Sequence, residues 1–110
     1  MGQSLNYFAS ISSVRRDAQI FLKLESSYGS YLERLSSQNR LALRAVLCRY
    51  IYVKSIVEEY LIVDAIADTL TEFTENSYAA LLNLQGLSDS GIELLIEFAT
   101  IQQINGNVLD

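Results

Sequence analysis

The sequence predicts an all-α protein, a bundle of four to five helices with a long or bent central helical stretch at about residues 38–75. Two observations predict it. Proline is absent, and the five glycines leave positions 30–85 without the residues that usually interrupt helices. Apolar residues also recur at intervals of three and four positions, which is the period of one helix face.

Length and composition predict one globular domain that spans residues 1–110. A chain of this length can bury an ordinary single core. Half of the residues are apolar and 19% are charged, a composition typical of packed proteins rather than of disordered chains. Acidic residues interrupt the apolar runs well before the roughly 18 residues that a membrane span needs, so we expect no span.

Cys48 is the only cysteine, which excludes a disulfide within the chain and is typical of a cytoplasmic, reducing location. The chain has no histidine, so Cys48 lacks an imidazole base for nucleophilic catalysis. The di-iron sites of helical bundles also use histidine. We therefore expect no catalytic residue, no metal site, no cofactor and no enzymatic activity.

The first predicted helix begins at about Ser4 and ends within residues 26–30. Its apolar positions lie three to four residues apart and are Phe8, Ile11, Val14, Ala18, Phe21 and Leu22. Residues 26–30 contain Gly29 and are predicted to form a turn. A short segment at 31–35 follows, and the polar residues 36–39 supply caps for the second helix.

The central stretch at residues 40–75 changes the direction of its apolar face. On a wheel with about 100° per residue, one third of the circle holds Leu43, Val46, Tyr50, Val53, Val57, Tyr60 and Leu61. Almost opposite lie Ile62, Val63, Ile66, Leu70 and Phe73. Either the helix breaks near residues 58–62, or one continuous helix buries its two ends on opposite sides. A continuous helix would be roughly 54 Å long, and this length favours a break or bend.

Two more helices are predicted beyond the central stretch. A short helix at residues 77–85 ends at Gly86 as its C-cap. The last helix begins with Ser88 as the N-cap, and Leu87 can pack on Ile92 beside it. We expect this helix to end before Asn105 and the glycine that follows it.

Charge is distributed unevenly along the chain. All eight basic residues lie between Arg15 and Lys54, where only three acids occur, whereas residues 55–110 contain ten acids and no base. Such asymmetry indicates how a protein associates rather than how it folds. The two halves can neutralise each other within one bundle, or they can drive head-to-tail assembly or contact two separate partners.

Two charged faces are predicted to bind partners. The acidic face has helical spacing and consists of Asp64, Asp68, Glu72 and Glu75. Like charges four residues apart cost about 0.2–0.5 kcal/mol per pair, and a basic partner surface would relieve this repulsion. The basic face consists of Arg40, Arg44 and Lys54, which share one side of their helix, whereas Arg49 points away.

These features predict a non-enzymatic interaction or scaffold module, a subunit that contacts a protein partner or a second copy of itself. The first alternative is a nucleic-acid-associated subunit, because cations at 40, 44 and 54 can position a phosphate backbone. The isoelectric point of about 4.6 restricts that role to a larger ribonucleoprotein complex.

The second alternative is a metal-dependent all-α hydrolase. Glu72 and Glu75 form a Glu-x-x-Glu pair, which resembles the acidic pairs on facing helices of the all-helical nucleotide pyrophosphatases. Those enzymes carry a second acidic pair. The acids at 89, 93 and 97 are spaced by four residues, so the chain departs from this pattern and the hydrolase interpretation loses its second set of metal ligands.

Overall fold

A computed structural model describes the backbone of residues 3–69 and 82–109, and the side chains of those residues as far as residue 104. These residues form five α-helices and no strand, which confirms the predicted all-α class. The helices are α1 (Leu5–Ile11), α2 (Arg15–Tyr28), α3 (Ser37–Lys54), α4 (Ile62–Thr69) and α5 (Asp89–Leu109).

The five helices surround one cluster of buried apolar side chains. α1 packs along α2, α3 packs against both α4 and α5, and α1 also contacts α5. The largest apolar side chains without solvent contact are Phe21, Phe98, Leu5, Leu32, Leu47, Leu84, Ile92, Leu95 and Val46. The rings of Phe8 and Phe98 meet edge to face with their centroids 5.7 Å apart, which ties α1 to α5.

The prediction of one continuous first helix is wrong, because the chain leaves the helical path between α1 and α2. The hydroxyl of Ser12 accepts a hydrogen bond from the Val14 amide at 3.3 Å, and such side-chain bonds compete with helical ones. The two segments therefore bury different faces. Ile11 and Leu22 of the predicted face are 48% and 46% exposed.

The turn and cap predicted before the second long helix are confirmed. α2 ends at Tyr28, and Gly29 follows with a φ of 98°, a left-handed conformation that glycine adopts without steric cost. The hydroxyl of Ser36 then accepts a hydrogen bond from the Asn39 amide at 3.1 Å and so caps the start of α3.

As far as residue 69, the central stretch forms two helices, which resolves the alternative in favour of a break. Its last part, residues 70–75, lies outside the described residues. α3 ends at Lys54, and the amides of Ile56 and Val57 both donate to the Val53 carbonyl in a tight turn. α4 begins at Ile62 and turns its own apolar face inward. Because the break comes earlier than residues 58–62, Val57 and Leu61 of the first predicted face are 45% and 58% exposed.

The start of the last helix is confirmed, but its predicted end is wrong. Ser88 accepts a hydrogen bond from the Gly91 amide through its hydroxyl at 3.1 Å and from the Ile92 amide through its carbonyl at 2.9 Å. The helix runs past Asn105 to Leu109, since weak helix formers lower helix stability without necessarily ending a helix.

Part of the predicted short helix at 77–85 lies outside the described residues. Residues 83–86 form a turn. Gly86 lies in this turn and does not have a positive φ, so the helix C-cap predicted at this position is wrong. A Cβ at Gly86 would lie 2.8 Å from Arg16 Nε, and the flexible arginine side chain would have to move to make room for it.

Candidate interaction surface

α3 is held in the bundle by one face of its helix. Its buried side chains are Ala42, Leu43, Val46, Leu47 and Tyr50. They recur at three- and four-residue intervals and pack toward α4 and α5. This contact fixes which side of α3 faces the solvent.

The solvent side of α3 is also apolar. Its exposed side chains form what we call the outer stripe, which consists of Leu41, Ala45, Cys48 and Tyr52. The spacing of four, three and four residues aligns them along roughly 17 Å of the helix, nearly opposite the buried face. Tyr52 keeps 66% of its surface exposed, and Ile56, one turn further on, keeps 68%. α3 is therefore apolar on two opposite sides.

Basic side chains border the outer stripe. Arg40 and Arg44 lie on one flank and Arg49 lies on the other, as the 100° step of the helix dictates. α3 contains no acidic residue. The ion pair found within residues 3–69 and 82–104 is that of Lys54 with Asp89, so no carboxylate in this part of the chain neutralises Arg40 or Arg44.

Lys54, the third member of the predicted basic face, forms an ion pair within the chain. Its Nζ donates a hydrogen bond of 2.8 Å to Asp89 at the start of α5, and it lies 5.3 Å from the centre of the Tyr50 ring. The hydrogen bond to Asp89, and then the one to Tyr50, raises the pKa of Lys54 above its usual 10.5. The structure thus keeps Arg40 and Arg44 on the surface and gives Lys54 a partner within the chain.

Two members of the predicted acidic face have hydrogen bonds within the chain. Asp64 accepts a bond of 2.9 Å from the Leu61 amide, which leaves that amide satisfied at the start of α4. Asp68 accepts a bond of 2.7 Å from the Tyr60 hydroxyl. Glu72 and Glu75 lie outside the described residues. The docking role of the acidic face therefore stays a prediction, and its first half also serves the fold.

Tyr60 connects α4 to the last turns of α3. Its ring stacks on that of Tyr50 at a centroid distance of 6.4 Å. Burial and the hydrogen bond to Asp68 raise the pKa of Tyr60 above its usual 10.0, while Arg49 acts in the opposite direction. Arg49 therefore lies near this tyrosine while its own side chain stays exposed to solvent.

Sequence reasoning missed the most buried charged side chain in the described part of the chain. Asp17 has no exposed surface. One of its oxygens accepts a hydrogen bond of 2.9 Å from the Ser88 amide, and the other accepts one from the Ser88 hydroxyl. The carboxylate thereby faces the amino end of α5, where the helix dipole favours negative charge.

Gly91 makes this arrangement possible. A Cβ on Gly91 would lie 2.6 Å from the carboxyl carbon of Asp17, closer than side chains approach one another. The signal available in the sequence was the spacing of Asp17, Phe21 and Leu24, which places the acid in line with two apolar residues.

Within residues 3–69 and 82–104, no group of three or more histidine, cysteine, aspartate or glutamate side chains is arranged to hold a metal ion. No helix within the described ranges is both long and apolar enough to cross a membrane.

Comparison with known proteins gives no functional assignment. No family model matches the chain, and neither a curated protein nor a solved structure matches it. Any function must therefore be inferred from the chain's own surface.

Proposed function

We propose that this domain is a non-enzymatic interaction module that assembles with a protein partner through the outer stripe of α3. The observation that carries the proposal is the line of exposed apolar side chains from Leu41 to Tyr52. Single exposed apolar residues are common on protein surfaces, whereas contiguous apolar patches mark sites of association. A partner helix can dock by laying its own apolar face against such an apolar surface.

The basic flank of the outer stripe supports the same proposal. Arg40 and Arg44 border it without an ion-pair partner in the described part of the chain. Charges at the rim of an interface accelerate encounter and favour partners of opposite sign. We propose a reducing, cytoplasmic location for this assembly, which would keep the exposed thiol of Cys48 unoxidised.

Site-specific photocrosslinking tests the proposal. A photoreactive amino acid replaces Ala45, in the middle of the outer stripe, in cells that naturally contain the full chain. The matched control carries the same group at Gln19, an exposed position on α2. We expect one adduct of discrete mass from position 45 and none from position 19.

The mass and composition of the adduct distinguish a protein partner, a second copy of the chain and a nucleic acid. A protein adduct specific to position 45 supports the proposal, and a mass of two chains identifies self-association. A nucleic-acid adduct supports the second candidate described next. If position 45 gives no adduct, or if Gln19 gives the same products, the outer stripe is not a docking surface.

A nucleic-acid-associated subunit is the second candidate, and the absence of acids from α3 favours it. Arg40 and Arg44 would contact phosphates, and the exposed ring of Tyr52 would offer a stacking surface. Fluorescence polarisation with single-stranded RNA at about 50 mM salt tests this role, since phosphate contacts weaken steeply as salt rises. Binding that Arg40→Gln and Arg44→Gln leave unchanged would count against it.

A further inference from the structure

We infer that the occupant of the outer stripe is an acidic amphipathic helix of another protein. The inference rests on the proposed docking function and adds the chemistry of the partner. It follows from three properties of α3, namely the spacing of the outer stripe, the size of its side chains, and the charge on its flanks.

The spacing of the outer stripe fits a helical partner. Leu41, Ala45, Cys48 and Tyr52 are separated by four, three and four residues, which is the a/d alternation of a heptad. Helices with this alternation pack side chains of one into the gaps of the other. A second helix with an apolar stripe of the same spacing can therefore lie along α3 for about three turns.

Side-chain size sets how closely that helix approaches. The two middle positions, Ala45 and Cys48, are small, and the two end positions, Leu41 and Tyr52, are large. Small residues let helix backbones come near each other, and large residues at each end contribute apolar area. The middle of the outer stripe therefore lets a partner helix approach more closely than its two ends do.

Charge selects an acidic helix. Relative to the outer stripe, Arg44 and Arg49 occupy the g and e positions of the heptad, which face the flanks of a bound helix. Arg40 adds a third cation beside Arg44. With no acid anywhere in α3, the flanks attract glutamate or aspartate and repel lysine or arginine.

The same charges disfavour a second copy of α3 as the occupant. In a parallel pair, Arg44 would face Arg49 of the second copy, and in an antiparallel pair each arginine would lie beside its own counterpart. The exposed acids of α5, Glu93 and Glu97, offer the right charge. However, the positions on their exposed face carry no comparable apolar line, so α5 of another copy is a poorer match.

Two designed peptides of about 21 residues test the inference on the full chain. Both carry leucine at the a and d positions, one has glutamate at e and g, and the other has lysine there. Each peptide repels its own copies, so both stay monomeric. Fluorescence anisotropy at about 50 mM salt is expected to show at least about tenfold tighter binding of the glutamate peptide, with a smaller difference at about 500 mM.

Three variants locate the binding. Ala45→Glu places a charge in the middle of the outer stripe and is expected to abolish binding of the glutamate peptide. Arg44→Glu is expected to reduce the preference for glutamate over lysine by about tenfold. Gln19→Glu on α2 is the matched control and is expected to change nothing. Circular dichroism confirms that each variant keeps its helix content.

The inference fails if the glutamate peptide does not bind, if the two peptides bind equally, or if Ala45→Glu leaves binding intact. It also fails if light scattering of the protein alone shows a dimer that Ala45→Glu dissociates, because the occupant is then a second copy. A crosslink from position 45 to another protein, together with failure of the peptide, refutes the acidic helix and leaves the docking function standing.

Discussion

The two longest helices, α3 and α5, bury similar apolar faces but expose chemically different surfaces to solvent. Both pack one apolar face into the same core, α3 with Val46 and Leu47, α5 with Ile92 and Leu95. The first half of α5 exposes serine and glutamate, at Ser90, Glu93 and Glu97. α3 exposes apolar side chains instead.

This difference shows that α3 carries more apolar surface than folding of the bundle requires. A helix at the edge of a bundle needs one apolar face, and a polar face opposite keeps it in solution. α5 meets this requirement over its first turns. The outer stripe of α3 exceeds it, because α3 already packs its opposite face into the core. The excess apolar surface is the reason to assign α3 a partner.

The largest predicted effect contrasts the two sides of α3 at adjacent residues. Leu47 has no exposed surface, whereas Cys48 is exposed. We expect Leu47→Ala to lower the free energy of unfolding by about 2–5 kcal/mol, because it leaves a cavity. Cys48→Ala is expected to change it by less than about 0.5 kcal/mol. Urea unfolding measures both, and equal losses would show that the outer stripe is buried in solution.

A second prediction contrasts two acids at the start of α5. Asp17 is buried and holds the amide and hydroxyl of Ser88, whereas the side chain of Asp89 is 65% exposed and pairs with Lys54. Asp17→Ala is expected to lower the free energy of unfolding by about 1–3 kcal/mol, because it leaves the buried donors of Ser88 without an acceptor. Asp89→Ala is expected to cost less than about 1 kcal/mol. Thermal or urea unfolding at neutral pH compares them, and a larger loss from Asp89→Ala would contradict the structure.

A third prediction, with a smaller expected effect, compares the serines that cap the starts of α3 and α5. Ser36 caps α3 through a single hydrogen bond to the Asn39 amide. Ser36→Ala is therefore expected to cost about 1 kcal/mol. Ser88→Ala should cost more, because Ser88 also bonds to the buried Asp17. If urea unfolding ranks the two substitutions in the reverse order, the anchoring of α5 through Asp17 is wrong.

The smallest predicted effect concerns alkaline pH. The pKa values of Lys54 and Tyr60 are raised above 10.5 and 10.0 in the folded protein. A group whose pKa is raised by folding contributes stability below its unfolded pKa and loses it as pH rises through the folded value. These two groups should therefore leave the free energy of unfolding independent of pH near neutrality and lower it above about pH 10.

The midpoint of urea unfolding, measured between about pH 8 and pH 11, follows this loss of stability. This pH range contains the reference pKa values of lysine and tyrosine. Lys54→Met removes the link between α3 and α5, and Tyr60→Phe removes the hydrogen bond to Asp68. Each variant is expected to show a shallower alkaline decline than the unaltered protein. A decline that is as steep in both variants would assign it to other groups.

Local signals predicted much of the fold. The caps at Ser36 and Ser88 and the turn at Gly29 follow from residues within four positions of one another. The break in the central stretch was predicted from the change in direction of its apolar face. The same local reasoning went wrong where two signals competed. The apolar period suggested one first helix, whereas the hydroxyl of Ser12 bonds to the backbone of Val14 and divides it.

The candidate site was less predictable. Charge alone drew attention to Asp64, Asp68 and Lys54, and each of these side chains has a partner within the chain. Arg40 and Arg44 were predicted as part of the basic face and lie at the surface beside the outer stripe. The outer stripe itself escaped notice, because a helical wheel shows that two faces are apolar but not which one the bundle covers.

The sequence by itself determined that this protein is helical, where most helices begin, and how charge is divided between its two halves. Those properties depend on neighbours along the chain, and one sequence displays them directly. Only the tertiary structure decided that Asp17 is enclosed at the start of α5, that Lys54 is paired, and that no described helix covers the outer stripe. Burial depends on which helices meet in space, and contacts between residues more than 70 positions apart, such as Asp17 with Ser88, leave no local pattern to read.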